Sequence, residues 1–184
     1  DPFWGCIACG TPTAQGVCEN HSHAIERAFV PGVRSAALED TINGLKFQNV
    51  KAAAKELALL LHYYLPLLPS SVRLVPVPTV RAHIRQRGYD QVELIVRHFA
   101  TLRDLPIDKV LQRQTTATQH ITGRSERFSQ AEGAYVAHGV EPGALYLVVD
   151  DVITTGATVQ AAAKAILDAG GRVWVAALAY QPLD

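Results

Sequence analysis

One stretch, Leu147-Val148-Val149-Asp150-Asp151-Val152-Ile153-Thr154-Thr155-Gly156-Ala157-Thr158, constrains this chain more than any other. An apolar run ends in two adjacent acids, a loop of small and hydroxyl residues follows, and a helical pattern begins. Upstream, Ala144 to Val149 is almost continuously apolar, as expected of a strand buried on both faces. Downstream, Val159, Ala162, Ala163, Ile166 and Leu167 fall on one face of a helix, and Gly170-Gly171 supplies its stop. Arg172 to Tyr180 then reads as a second buried strand. Strand, helix and strand with short connections predict a βαβ unit in a parallel sheet, whose ligands lie beyond the carboxyl ends of the strands. Backbone amides and Thr hydroxyls at a helix N-terminus favour an anion, and two carboxylates beside them suit the vicinal hydroxyls of a sugar. A ligand carrying phosphate next to ribose satisfies both halves.

An ordinary strand-to-helix turn needs only one capping Asp or Thr, so the full ordered pattern says more than either residue alone. It is not a Walker loop, since Gly-Lys-Ser/Thr is missing, and the G-x-G-x-x-G dinucleotide fingerprint is absent.

A chain of 184 residues with 48% hydrophobic content suits one domain with a small appendage. The net charge is zero but unevenly spread: residues 73–127 carry ten Lys/Arg against five Asp/Glu, and residues 128–184 carry two against six. The basic middle is thus available to a polyphosphate. No apolar run reaches the length of a membrane span, and the first residues lack the order of a secretory leader, so a cytoplasmic protein is expected.

The three cysteines lie at the front, as Cys6-Ile7-Ala8-Cys9 and Cys18-Glu19-Asn20-His21. Two pairs, each with two intervening residues, suit tetrahedral zinc in a closed Cys3His set, with His23 as the alternative fourth ligand. An odd cysteine count makes a disulfide framework awkward. The expected layout is a zinc knuckle over residues 1–30 and a larger domain over 31–184.

In the middle, Gln48 to Leu65 reads as a helix with Val50, Ala53, Ala54, Leu57, Ala58 and Leu61 on one face, ended by Pro66. Leu38 to Phe47 suits a shorter one. Val72 to Val75 is read as the first sheet strand, running into Pro76-Val77-Pro78. A basic loop follows, with Arg81, Arg85 and Arg87, and then a helix burying Val92, Ile95, Val96, Phe99 and Ala100. This loop should open at the same sheet edge as the acid pair, where a diphosphate would need its charge. Gln114 to Gln130, with Gln119, Arg124 and Arg127, has poor periodicity and suits a lid. Gly133 to Val136 suits a strand beside it. Tyr180 is open to two roles, stacking on an incoming group or packing in the core.

The acid-pair stretch resembles the binding signature for phosphoribosyl diphosphate (PRPP) in type I phosphoribosyltransferases. The whole order is similar to the ComF (competence protein F) family of amidophosphoribosyltransferase-like proteins. The matching elements are the Cys/His cluster, Leu45-Lys46-Phe47, Val75-Pro76-Val77-Pro78, Arg87-Gly88-Tyr89-Asp90-Gln91, Leu111-Gln112-Arg113, Gln119, Arg124 and Val149 to Thr158. Two departures stand out: the family often has Asn where Asp90 stands, and often Cys where His21 stands.

The resemblance implies a type I phosphoribosyltransferase fold, an α/β fold whose mostly parallel sheet has helices on both faces, plus a hood. It implies that Asp150 and Asp151 hold the ribose hydroxyls and that the loop from Ile153 to Thr158, entered through Val152, holds the 5-phosphate. Pro76, Val77, Pro78, Arg81 and Arg87 then face the diphosphate with Mg²⁺, and Arg124 lies on the catalytic lid. Diphosphate would be displaced by a nitrogen nucleophile. Some family members are linked to DNA uptake in natural transformation, which makes single-stranded DNA and the competence machinery candidate partners. A non-catalytic module that senses a nucleotide or binds such DNA is the alternative. Homodimers are common among similar folds, though nothing in the chain fixes an interface.

Overall fold

The computed structural model describes residues 5–21, 25–33, 35–47, 50–114 and 133–181. Its centre is a four-stranded, all-parallel sheet in the order β1-β6-β5-β2. The strands are β1 (Arg27–Phe29), β2 (Arg73–Pro76), β5 (Leu145–Ile153) and β6 (Arg172–Tyr180), and a two-stranded antiparallel ribbon joins β3 (Leu111–Arg113) to β4 (Tyr135–Ala137). The helices are α1 (Ala36–Phe47), α2 (Ala53–Tyr64), α3 (Arg81–Arg87), α4 (Gln91–Arg103) and α5 (Ala157–Asp168). The expected α/β fold with a parallel sheet and helices on both faces is the one observed.

Alternation along β5 explains the layering. Leu147 and Val149 join the cluster formed by α1, α2 and α4, with Leu57, Leu61, Val96 and Phe99. Tyr146 and Val148 join the opposite cluster, with Val159, Ala163 and Ile166 of α5, Leu111 and Tyr135 of the ribbon, and Ile7, Val17 and Ile25 from the front of the chain. A strand covered on both faces must be apolar on both, which is how this run reads.

Several expectations need correction. Val72 to Val75 is not the first sheet strand, because β1 precedes it and pairs with β6. The basic segment after Val80 is a helix, not a loop: Arg, Ala and Gln favour helix, and Gly88 (φ 80°) ends it in the left-handed conformation. Val50 lies outside α2 and is 45% exposed. Its N–H donates to the Gly44 carbonyl and its own carbonyl accepts from Ala53, so it forms the turn between α1 and α2. Leu167 lies off the buried stripe of α5 at 40% exposure. β5 runs through the acid pair rather than stopping before it, since Asp150 still pairs with Ala177 and Ile153 with Tyr180. No helix among the described residues is long and apolar enough to cross a membrane.

Candidate functional site

β2 and β5 are parallel neighbours, with Pro76 opposite Val149. The chain leaving β2 after Pro76 and the β5 continuation through Asp150 to Ile153 therefore lie at the same, carboxyl-terminal end of the sheet. The basic helix α3, the start of α4, the acid pair and the loop into α5 meet there.

Asp151 is buried at 7% exposure. Its Oδ2 lies 2.7 Å from Lys46 Nζ and accepts a hydrogen bond from Gln91 Nε2 at 3.3 Å. Gln91, itself buried, accepts at Oε1 from Arg87 Nη1 at 2.8 Å. The Arg87 guanidinium lies 5.2 Å from the centre of the Phe47 ring, a cation–π contact. Tyr89 donates from its hydroxyl to the Leu45 carbonyl. Residues 45–47 of α1, residues 87–91 and Asp151 thus converge, although they lie far apart in sequence.

Asp150 is half-buried and accepts at Oδ1 from the Asp151 backbone N–H at 2.8 Å. Burial pushes its carboxyl up to about 7, and the adjacent Asp151 charge pushes the same way, with the more distant Asp90 adding to it. Asp150 also acts on the ribbon, adding to the burial that raises the Tyr135 hydroxyl to about 12. Arg113 donates to that hydroxyl at 2.8 Å and stacks over the ring. Asp90 has a different task. Its carboxylate accepts from Thr79 N and Oγ1 and from the N–H groups of Val92 and Glu93, so it caps α4 and ties down the chain after Pro78. A carboxylate so occupied is not free for a ligand.

In the loop, Ile153, Thr155, Gly156 and Ala157 are buried, Val152 and Thr154 half-buried and Thr158 exposed. Thr155 Oγ1 accepts from Ala157 N at 3.2 Å. Gly156 precedes α5 with φ 74°, and no side chain caps the helix there. A Cβ at Gly156 would stand 3.0 Å from the Ile7 carbonyl oxygen, so glycine lets the front of the chain pack directly on this loop. After β2, Pro76 and Val77 are buried, Pro78 is half-buried and Arg81 is exposed at the start of α3. Tyr180 is buried in the sheet cluster, which settles its two roles in favour of packing. Of the expected lid only Gln114 is described, its N–H donating to the Ala134 carbonyl beside β4; Gln119, Arg124 and the rest lie outside the described residues, as does His23.

Among the described residues, Cys6, Cys9, Cys18 and His21 form the group able to hold a metal, their ligand atoms all within 4.8 Å of one another. His21 Nδ1 lies 3.1 Å from Cys18 Sγ and 3.6 Å from Cys6 Sγ, and Cys9 Sγ is 3.8 Å from Cys18 Sγ. A zinc tetrahedron with bonds of about 2.3 Å to sulfur and about 2.0 Å to nitrogen has edges of roughly 3.5–3.8 Å. The donor set and spacing therefore fit zinc. The hydrogen bond between Cys9 Sγ and the Thr11 hydroxyl lowers the Cys9 thiol to about 6, which favours the thiolate a metal needs. The knuckle is bonded into the domain, with Ala28 N donating to the Gln15 carbonyl at 2.8 Å.

In the sequence Lys46 and Gln91 stand only within the Leu45-Lys46-Phe47 and Arg87 to Gln91 motifs, and nothing local assigns either a place in the site. For Asp90 the signal was available: an acid before a helical stripe, with Glu93 three residues on, is a capping pattern.

The chain is 27% identical to the DNA utilization protein YhgH of Salmonella typhi over 185 residues, covering 92% of this chain and 82% of that protein. It is also 27% identical to the protein of the same name from Escherichia coli K12, over 187 residues with the same coverage. No protein-family model matches. Among solved structures it is similar to a purine phosphoribosyltransferase from Pyrococcus horikoshii Ot3, at TM-score 0.38 and 18% identity over 75% of this chain and 83% of that one. It is also similar to an adenine phosphoribosyltransferase from Leishmania tarentolae, at TM-score 0.43 and 12% identity over 74% of each chain.

Proposed function

We propose that the chain binds PRPP and acts as a ComF-type phosphoribosyltransferase, displacing diphosphate with a nitrogen nucleophile. The observation that supports this most is the junction at the sheet edge. Buried Asp151 and half-buried Asp150 stand near the end of β5, just before the Thr loop into α5, and Arg87 reaches Asp151 through the Gln91 amide. Asp150 and Asp151 take the ribose hydroxyls, and the amides and hydroxyls from Val152 to Thr158 take the 5-phosphate. Arg81 and Arg87 face the diphosphate.

As the C1–O bond breaks, the ribose ring gains positive charge and the departing diphosphate gains negative charge. The α3 arginines, Arg87 held by Gln91 and Phe47, stabilise the second, and the carboxylates hold the sugar for the first. Mg²⁺, brought in on the diphosphate oxygens, would need few protein ligands and would supply charge neutralisation of the leaving group beside Arg81 and Arg87. Zinc in the Cys6, Cys9, Cys18 and His21 set is structural, because four protein ligands leave no open position.

The name of the relatives, DNA utilization protein, supports placing this chemistry in the handling of DNA. A second reading, a module that senses a nucleotide or binds single-stranded DNA, draws on the exposed Arg81, His83 and Arg85 of α3. Diphosphate release from PRPP, measured with Mg²⁺ against purine and pyrimidine bases, glutamine and ammonia, separates the two. Release with at least one acceptor is the expected outcome, and release with none would leave the second reading standing.

A further inference from the structure

The Lys46–Asp151 pair joins two elements across the site edge. Lys46 stands in the last turn of α1, where a cation also suits the helix dipole, and its side chain is only 20% exposed. A buried carboxylate needs such a partner, yet the contact is more selective than charge balance requires. Lys46 Nζ and Gln91 Nε2 both engage Oδ2. Arg87 holds the carbonyl oxygen of Gln91, which fixes which way the Gln91 amide faces. Two cations from separate elements thus bear on one carboxylate oxygen, one directly and one through an amide.

A pair that merely stapled α1 to the sheet would be redundant. Ile42 and Leu45 already bury α1 in the core, and Tyr89 already bonds the Leu45 carbonyl.

We propose that Lys46 is a positioning residue of the sugar pocket, holding Asp151 by Oδ2 so that Oδ1 is presented to a ribose hydroxyl. This rests on the reading of the acid pair as the sugar site. Lys46 then acts on the sugar half of a ligand and not on the phosphate half, because the 5-phosphate loop belongs to α5.

Isothermal titration of the full chain tests it, using ribose 5-phosphate and inorganic phosphate as separate probes. Lys46→Met and Lys46→Gln should each weaken ribose 5-phosphate by about tenfold or more, the loss expected for one charge-assisted contact. Inorganic phosphate should change by less than about twofold, as for a site not coupled to the mutation. Lys46→Arg, which keeps the charge, should recover most of the sugar affinity. Thermal melting of each variant identifies any that fail to fold, and the remaining neutral variant then carries the comparison. Ribose 5-phosphate bound as tightly by the neutral variants as by the wild type would overturn the role of Lys46 alone, as would equal weakening of both probes. A wild type that binds neither probe would overturn the sugar-site reading and the role of Lys46 with it.

Discussion

At the scale of single residues, Asp150 is the group whose environment has the clearest consequence in solution. Its carboxyl is held up to about 7 by burial and by Asp151, against the opposing charge of Lys46. An unfolded aspartate titrates near about 4. The folded chain therefore keeps the Asp150 proton through a range where the unfolded chain has lost it. Stability falls as pH rises from about 4 to about 7 and stays lower above that. Asp150→Asn removes this burden. It should stabilise the ligand-free protein at pH 8 by about 4 kcal/mol, and the gain should largely vanish near pH 4. Urea unfolding of both proteins across that range is the check. A pH-independent difference would mean that the Asp150 carboxyl is not held up by its surroundings.

The network around Asp151 shows where single-sequence reading stops. The acid pair and the Thr loop were legible because strand, acids, small residues and helix follow one another along the chain. The contact from Lys46 to Asp151 was not. It depends on how α1 lies over the end of β5, and no local pattern encodes that. Asp90 was legible in principle, since capping is local chemistry: an acid before the α4 stripe with Glu93 three residues on.

At the scale of elements, apolar period decided what could be read. α4 buries Val92, Ile95, Val96, Phe99 and Ala100, the face its sequence displays. α3 buries none of its residues, so its helix leaves no apolar stripe to detect. β1 is three residues long with Ala28 its one buried member, too short for an alternation to register.

The knuckle is the element with the widest reach. Its Ile7–Ala8 backbone packs on Gly156, and Gly16 comes so close to β1 that a Cβ there would stand 2.0 Å from the Ala28 carbonyl oxygen. Loss of the metal should therefore be felt beyond the knuckle. Purified protein should carry about one zinc per chain, as a closed four-ligand site requires. Removing it with a strong chelator should lower Tm by about 5 °C or more, since metal-binding energy is folding energy. Metal analysis and thermal melting give the answer. An unchanged Tm after verified zinc removal would show that the four ligands hold the knuckle without it.

At the scale of the whole molecule, the uneven charge in the sequence has a spatial meaning. The basic middle supplies α3 and the start of α4, and the acidic end supplies Asp150 and Asp151. Parallel pairing of β2 with β5 brings their carboxyl ends to one edge. A neutral chain thereby places cations and carboxylates side by side, the arrangement on which the proposed PRPP site rests. The βαβ unit from β5 to β6 fixed that edge in advance, because a parallel sheet has its carboxyl ends in common.

The most direct test of this account is isothermal titration of PRPP, with and without Mg²⁺, into the wild type and Asp151→Ala. The account predicts Mg²⁺-dependent binding to the wild type, weakened by at least about tenfold in the variant, as when charge-assisted bonds to the ribose hydroxyls are lost. Equal binding by both proteins, or none by a folded, zinc-loaded wild type, would contradict it.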